Sequence, residues 1–197
     1  MNPNQTPIQA LVNGTHSASI SLLDRGLSYG DGVFRTMPVH KGLPASWQLH
    51  YQKLNHDCNA LKIQCPDEQT LLQDIQSLFA GADGVAKIIV TRGETARGYA
   101  YPADLASNRM VIKTDLPEYP KNRFEQGVSL HLCALRLAHQ PLLAGIKHLN
   151  RLENVLARSE WTDSSIADGV LLDRDDLVIE CTMSNIFARY GKQVLTP

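Results

Sequence analysis

The chain has 197 residues, 43% of them hydrophobic and 20% charged, with a formal net charge of −1. That balance describes an ordinary globular protein of one large domain or two small ones, and it offers no basic surface for nucleic acid or an anionic membrane. No apolar run approaches the roughly 20 residues of a membrane-spanning helix, and the opening Met-Asn-Pro-Asn-Gln-Thr-Pro lacks the basic and apolar regions of a signal peptide. Cys58, Cys65, Cys133 and Cys181 are scattered without C-x-x-C spacing. They read as reduced thiols of a cytoplasmic protein with no metal site.

Along the chain, Ile8 to Val12, Asn13-Gly14 and the alternating run through Ile20 predict a β-hairpin, since Asn-Gly accepts the positive φ of a tight turn. Asp24 to Thr36 (Asp-Arg-Gly-Leu-Ser-Tyr-Gly-Asp-Gly-Val-Phe-Arg-Thr) is a glycine-rich loop leading into a strand from Val33 to Val39. Trp47, Tyr51, Leu54, Cys58 and Leu61 recur at helical spacing and predict an amphipathic helix over 46–61. Leu71, Leu72, Ile75, Leu78 and Phe79 predict a second, with Pro66 in its first turn. Val85 to Thr91, β-branched and apolar on both faces, is an interior strand. It runs into Arg92-Gly93-Glu94-Thr95-Ala96-Arg97-Gly98-Tyr99, a loop whose arginines suit carboxylates of a ligand. Arg109 to Thr114 is a further strand, and the prolines of Leu116 to Asn122 mark a connector. Val128, Leu130, Leu132 and Ala134 alternate as the inward set of a half-buried strand. Two hairpins close the chain, one turning at 174–176 and one at 190–192.

Two residues carry chemistry on their own surroundings. Lys147 follows an apolar run and stands just before a helical pattern, in which Ile146, Leu149, Leu152 (or Glu153) and Leu156 share one face. Burial disfavours the charged form of an amine, which is the state a nucleophile or imine former needs. Glu180 ends a strand that is otherwise apolar (Leu177, Val178, Ile179), where a carboxylate calls for a cationic partner.

Gly-Ile-Lys-His-Leu-Asn-Arg-Leu-Glu at 145–153 resembles, nearly residue for residue, the cofactor-lysine segment of the aminodeoxychorismate lyases. Those enzymes belong to the fold-type IV pyridoxal-phosphate group, alongside the branched-chain and D-amino-acid aminotransferases. Asp24 to Phe34 resembles the group's opening motif, and Glu180 with Asn185-Ile186-Phe187 resembles its Glu-x-x-x-x-Asn-[Ile/Leu]-Phe. Arg92 to Tyr99 is similar to the lyases' Arg-Gly-x-x-x-Arg-Gly-Tyr. His50-Tyr51-Gln52-Lys53-Leu54 matches a His-x-x-Arg-Leu pattern with lysine where the family has its phosphate-binding arginine. Lysine there offers a point charge in place of a planar fork.

The resemblance implies an α+β fold of two subdomains. The first is an N-terminal α/β sandwich over 1–115. A linker at 116–123 leads to the start of a barrel-like β domain over 124–197. It implies pyridoxal 5'-phosphate as cofactor, Lys147 as the catalytic, cofactor-bearing amine, and Glu180, Lys53 and Asn185 as cofactor-binding residues. Tyr29, Arg97, Tyr99 and Arg109 fall to a small-molecule substrate. The implied activity is conversion of 4-amino-4-deoxychorismate to 4-aminobenzoate and pyruvate in folate synthesis, by a cytoplasmic homodimer with no nucleic-acid or membrane partner. A fold-type IV aminotransferase would share every cofactor residue, and a non-catalytic remnant with a structural or partner-binding role is a further alternative. The family continues past the Thr196-Pro197 match through a glycine-containing helix start at the phosphate, so a truncated form is expected.

Overall fold

Asn13 and Gly14 both adopt positive φ, 51° and 81°, and close the hairpin between β1 (Gln9–Val12) and β2 (Thr15–His16). The computed structural model describes residues 9–197, so Ile8, the first residue of the expected hairpin, lies outside the described residues. The chain forms two compact units. One comprises residues up to 117 together with Gly145–Leu149, and the other comprises Glu118–Ala144 and Asn150–Pro197.

In the first unit, α1 (Arg25–Tyr29) follows the opening hairpin, capped by Asp24, whose carboxylate accepts the Gly26 amide. Then come β3 (Gly32–His40), β4 (Leu43–Pro44), α2 (Trp47–Ala60), α3 (Glu68–Phe79), β5 (Gly84–Thr91) and β6 (Asn108–Thr114). The strands make one antiparallel sheet in the order β2-β1-β6-β5-β3-β4, which puts β5 in the interior as its two-sided apolar sequence requires. Asp67 caps α3 by accepting the Thr70 amide, and Pro66 stands just ahead of that cap, outside the first turn where its sequence position suggested it.

Register decides which side chains reach the helices. Val33 opposes Val90 and Met37 opposes Ala86, and these residues pack with Leu54 and Cys58 of α2 and Leu71 and Ile75 of α3 in one buried cluster. Phe34, Thr36, Lys87 and Ile89 occupy the alternate positions and therefore the other face of the sheet.

The loop around the sheet's end is fastened by one carboxylate. Asp31 accepts from Arg25 Nε at 2.9 Å and from Arg92 Nε and Nη2 at 2.8 and 2.9 Å. Arg92 also donates to the Leu61 and Lys62 carbonyls, and Arg25 to the Gly98 and Tyr99 carbonyls. Arg92 is thus buried in the scaffold and not available to a ligand.

The second unit holds α4 (Asn122–Gln126), β7 (Ser129–Leu137), α5 (Leu152–Arg158), β8 (Ile166–Asp173), β9 (Val178–Cys181) and the hairpin β10 (Ala188–Tyr190) to β11 (Gln193–Leu195). β7 and β8 are parallel, β8 and β9 antiparallel. The expected phase of β7 is reversed. Cys133 is buried with Ala157, Trp161 and Leu171, whereas Leu132 is 63% exposed and Leu130 46%. The cause is close packing at Gly169, where an added Cβ would lie 2.6 Å from Cys133 Sγ and 2.7 Å from the Trp161 ring. That contact selects the cysteine side of β7 against α5 and overrides the simple apolar alternation. In this unit Leu177, Val178 and Ile179 are likewise exposed, so the strand before Glu180 is not the apolar interior its sequence suggested.

Asp31 generates a pH-dependent prediction. Burial alone would raise its pKa, but the Arg92 and Arg25 hydrogen bonds and charges outweigh that and hold it below the ordinary value of 3.8. A carboxylate with a lowered folded pKa contributes stability that is full above its unfolded value and is lost as pH falls through the folded one. Asp31→Asn should therefore cost about 3–5 kcal/mol at neutral pH, because it leaves two guanidinium groups without their counter-charge. Urea unfolding should show the gap to wild type closing below about pH 3.8.

Candidate active site

Lys147 sits in an extended segment ahead of α5, and the helical spacing read from Ile146 and Leu149 starts only at Leu152. Gly145–Leu149 lies along the edge of β3, with His148 opposite Val33, the Phe34 amide donating to the Lys147 carbonyl and the Leu149 amide to the Gly32 carbonyl, each at 2.9 Å. Two-residue alternation then sends Ile146 into the buried cluster with the helices and Lys147 to the opposite face. There its Nζ lies 5.1 Å from the centroid of the Phe34 ring. Leu152 and Leu156, the later members of the supposed helical face, are exposed on α5.

The segment is held from the helix side by Asp57, whose side chain is 0% exposed. Its Oδ2 accepts the Lys147 backbone amide at 3.2 Å, and its Oδ1 accepts from Lys53 Nζ and lies 3.2 Å from His56 Nδ1. Lys53 donates in turn to the Gly145 carbonyl at 2.7 Å. Asp57 and Lys53 are one helical turn apart on α2, so their side chains meet on the same face. Lys53, expected at a phosphate, is engaged by its own helix and by the lysine segment.

Arg35 lies beside this group on β3. Its Nη2 is 3.3 Å from His50 Nδ1, and its buried Nε has no hydrogen-bond partner among the described residues. Burial and then the Arg35 charge push the His50 pKa down, so the imidazole is neutral at pH 7 and its Nδ1 accepts. Burial also lowers the Arg35 pKa, opposed by the Asp57 charge. A desolvated guanidinium with an unused N–H is suited to an anionic group. On the Lys147 face, Lys87 Nζ reaches the same Phe34 ring at 5.3 Å, so two ammonium groups share one aromatic side chain.

In the second unit Glu180 is 39% exposed, and its Oε1 accepts from Asn154 Nδ2 at 3.0 Å, with Arg151 Nη1 at 3.6 Å. Asn154 also donates to the Thr182 carbonyl, and Asp168 takes the Thr182 hydroxyl and the Gly169 amide. The carboxylate is therefore fixed in direction by α5 and by the turn that follows it.

The other expected ligand residues are dispersed. Tyr29 and Tyr99 pack their rings 5.3 Å apart, with Tyr99 81% exposed, and Arg97 is exposed on the same loop. Arg109 is on the helix face, its Nε bound to Asp74 at 2.7 Å, which ties β6 to α3 and takes it out of the substrate set. Asn185 is exposed on the chain between β9 and β10. Sequence reasoning missed Asp57, Arg35 and Lys87. Only Asp57 and Arg35 carried a signal, as charged residues at positions whose spacing faces the core.

A sheet flanked by two helices, with a lysine strand added at its edge, is shared with solved fold-type IV enzymes. One is 4-amino-4-deoxychorismate lyase of Pseudomonas aeruginosa, with a TM-score of 0.90 and 44% identity over 95% of this chain and 70% of that one. Another, showing the fold alone, is the branched-chain amino acid aminotransferase of Escherichia coli, at a TM-score of 0.80 and 18% identity over 96% of this chain and 67% of that one. The aminodeoxychorismate lyase of Vibrio harveyi is 37% identical over 94% of this chain and 69% of its own length. Residues 32–197 match the family model of class IV amino-transferases, and the chain belongs to that family.

Gly32 marks how closely the lysine strand approaches β3. A Cβ there would lie 2.5 Å from the Val90 carbonyl and 2.7 Å from Leu149 Cδ1. Gly32→Ala should therefore cost about 1–3 kcal/mol through overpacking. Guanidinium unfolding measures it, and hydrogen exchange should localise the loosened amides to 146–149.

Proposed function

We propose that this chain is a pyridoxal-phosphate-dependent lyase that converts 4-amino-4-deoxychorismate to 4-aminobenzoate and pyruvate. The observation that favours it over an aminotransferase is the 44% identity to the Pseudomonas lyase across 95% of the chain, against 18% for the branched-chain enzyme. We further infer a cytoplasmic homodimer serving folate synthesis. No helix among the described residues is long and apolar enough to cross a membrane.

The residues of each unit suit the cofactor. Lys147 in the first unit would supply the amine, and Glu180 in the second, held by Asn154, would supply a carboxylate for the ring nitrogen. Arg35 packs with His50 on the helix face of the sheet, opposite the Lys147 amine, and is not assigned to the phosphate. When bound, the cofactor supplies an electron sink for a carbanion next to the substrate nitrogen. The Lys147 amine would act as the base that takes the proton from the ring carbon bearing the substrate's amine. The negative charge of Glu180 would favour a protonated ring nitrogen in a cofactor held there. Lys87 and the loop carrying Arg97 and Tyr99 supply cations and an aromatic surface for the substrate's carboxylates and ring. Loss of the enolpyruvyl group as pyruvate leaves an aromatic ring, which drives the elimination.

The test is pyruvate release from 4-amino-4-deoxychorismate without any added 2-oxo acid. Turnover that depends on a 2-oxo acid would instead make the chain an aminotransferase. Lys147→Ala should abolish turnover, and Glu180→Gln should lower kcat by roughly 10²-fold or more with cofactor affinity retained. Lys53→Arg should leave that affinity unchanged, and a tightened affinity would return the phosphate to position 53.

A further inference from the structure

We propose that Asp57 and Lys53 form a clamp on α2 that positions Lys147 through its main chain, making both of them positioning residues for the reaction. The proposal rests on the reading of Lys147 as the cofactor-bearing amine. The Phe34 amide donates to the Lys147 carbonyl from the sheet side. From the helix side, Asp57 Oδ2 accepts the Lys147 amide at 3.2 Å. On the other side of the same carboxylate, Lys53 Nζ bridges Asp57 Oδ1 to the Gly145 carbonyl two residues earlier. The two bonds grip the main chain at 145 and 147 and leave Ile146 between them in the core.

The chemistry of the pair explains why both members are charged. A fully buried carboxylate needs a counter-charge, and Lys53 provides it from one helical turn away. The bonds at 2.7 Å to the Gly145 carbonyl and 3.2 Å from the Lys147 amide tie the main chain on either side of Ile146 to a helix that is itself packed into the core. Lys147 reaches its reactive position on the far face of the sheet over four side-chain carbons. A small rotation at its Cα therefore becomes a large displacement of Nζ, and misplacement of about 1 Å costs on the order of 10²-fold in rate.

The experiment measures covalent capture of pyridoxal phosphate by cofactor-free protein. The Lys147 Nζ lone pair adds to the aldehyde carbon and water leaves. Borohydride then reduces the carbon–nitrogen double bond, and peptide mass locates the adduct. Asp57→Asn, Lys53→Met and the double variant are compared with wild type. In Asp57→Asn the single side-chain oxygen can serve the Lys147 amide or Lys53, but not both as the carboxylate does.

The expected result is capture at Lys147 slowed by roughly 10–100-fold in both single variants and in the double. The thermal midpoint, lowered in the singles by an uncompensated charge, should recover in the double variant, which buries no unpaired charge. Holoenzyme kcat should fall in parallel, with KM changed less than about threefold. Wild-type capture rates in Asp57→Asn, or recovery of capture together with the midpoint in the double variant, would overturn the clamp and reduce the pair to charge balance. Should Asp57→Asn fail to fold, the neutral double variant decides alone. Absence of lyase turnover in wild type that still captures the cofactor at Lys147 would count against the proposed reaction and leave the capture comparison intact.

Discussion

A carboxylate with no solvent exposure has to be surrounded by donors, and Asp57 has found its donors in the parts of the first unit that chemistry requires to be still. One is on its own helix and one is the main chain of the lysine strand. The strand contributes a buried Ile146 and two ladder bonds to β3, which hold it against the sheet. Backbone pairing alone sets its register. The added bonds from α2 set the height of Lys147 relative to a helix that the hydrophobic cluster already immobilises. The proposed placement of one amine is in this way tied to core packing several residues away.

A second polar knot works by the same logic at the sheet's end. Asp31 collects Arg25 and Arg92, and those arginines spend their remaining donors on loop carbonyls from 61–62 and 98–99. Arg92 also stacks 3.8 Å from the Tyr101 ring centroid, so the loop is covered on an aromatic side as well. The outer part of that loop, with Arg97 and Tyr99, stays exposed on a rigid base. A binding segment benefits from that combination, since its ordering cost is met before any ligand arrives.

The strands and helices of the first unit were legible because their periods are clean. Asn13-Gly14, the β-branched run of β5 and the apolar spacings of α2 and α3 each specify one conformation, and local and tertiary preferences agree. Lys147 and Glu180 were singled out by motifs of mixed chemistry, and their roles belong to the proposed function. The errors have a common source. Ile146 fits the start of a helical stripe as well as the inward position of a strand, and only pairing with β3 decides. The phase of β7 depended on Gly169 and Trp161, far away in sequence, and Arg109 read as a ligand residue because its partner Asp74 lies 35 positions upstream. Asp57 carried a signal in its core-facing position three residues from Leu54, but nothing nearby in sequence reveals the strand it meets.

Lys147 has to be the one amine that this framework makes reactive. The most direct measurement is stoichiometric reductive trapping of pyridoxal phosphate on the wild-type chain, followed by peptide mapping of every lysine. The framework predicts one adduct per chain, at Lys147, with Lys53 and Lys87 unmodified. An adduct spread over several lysines, or concentrated at Lys87 beside the same Phe34 ring, would contradict it.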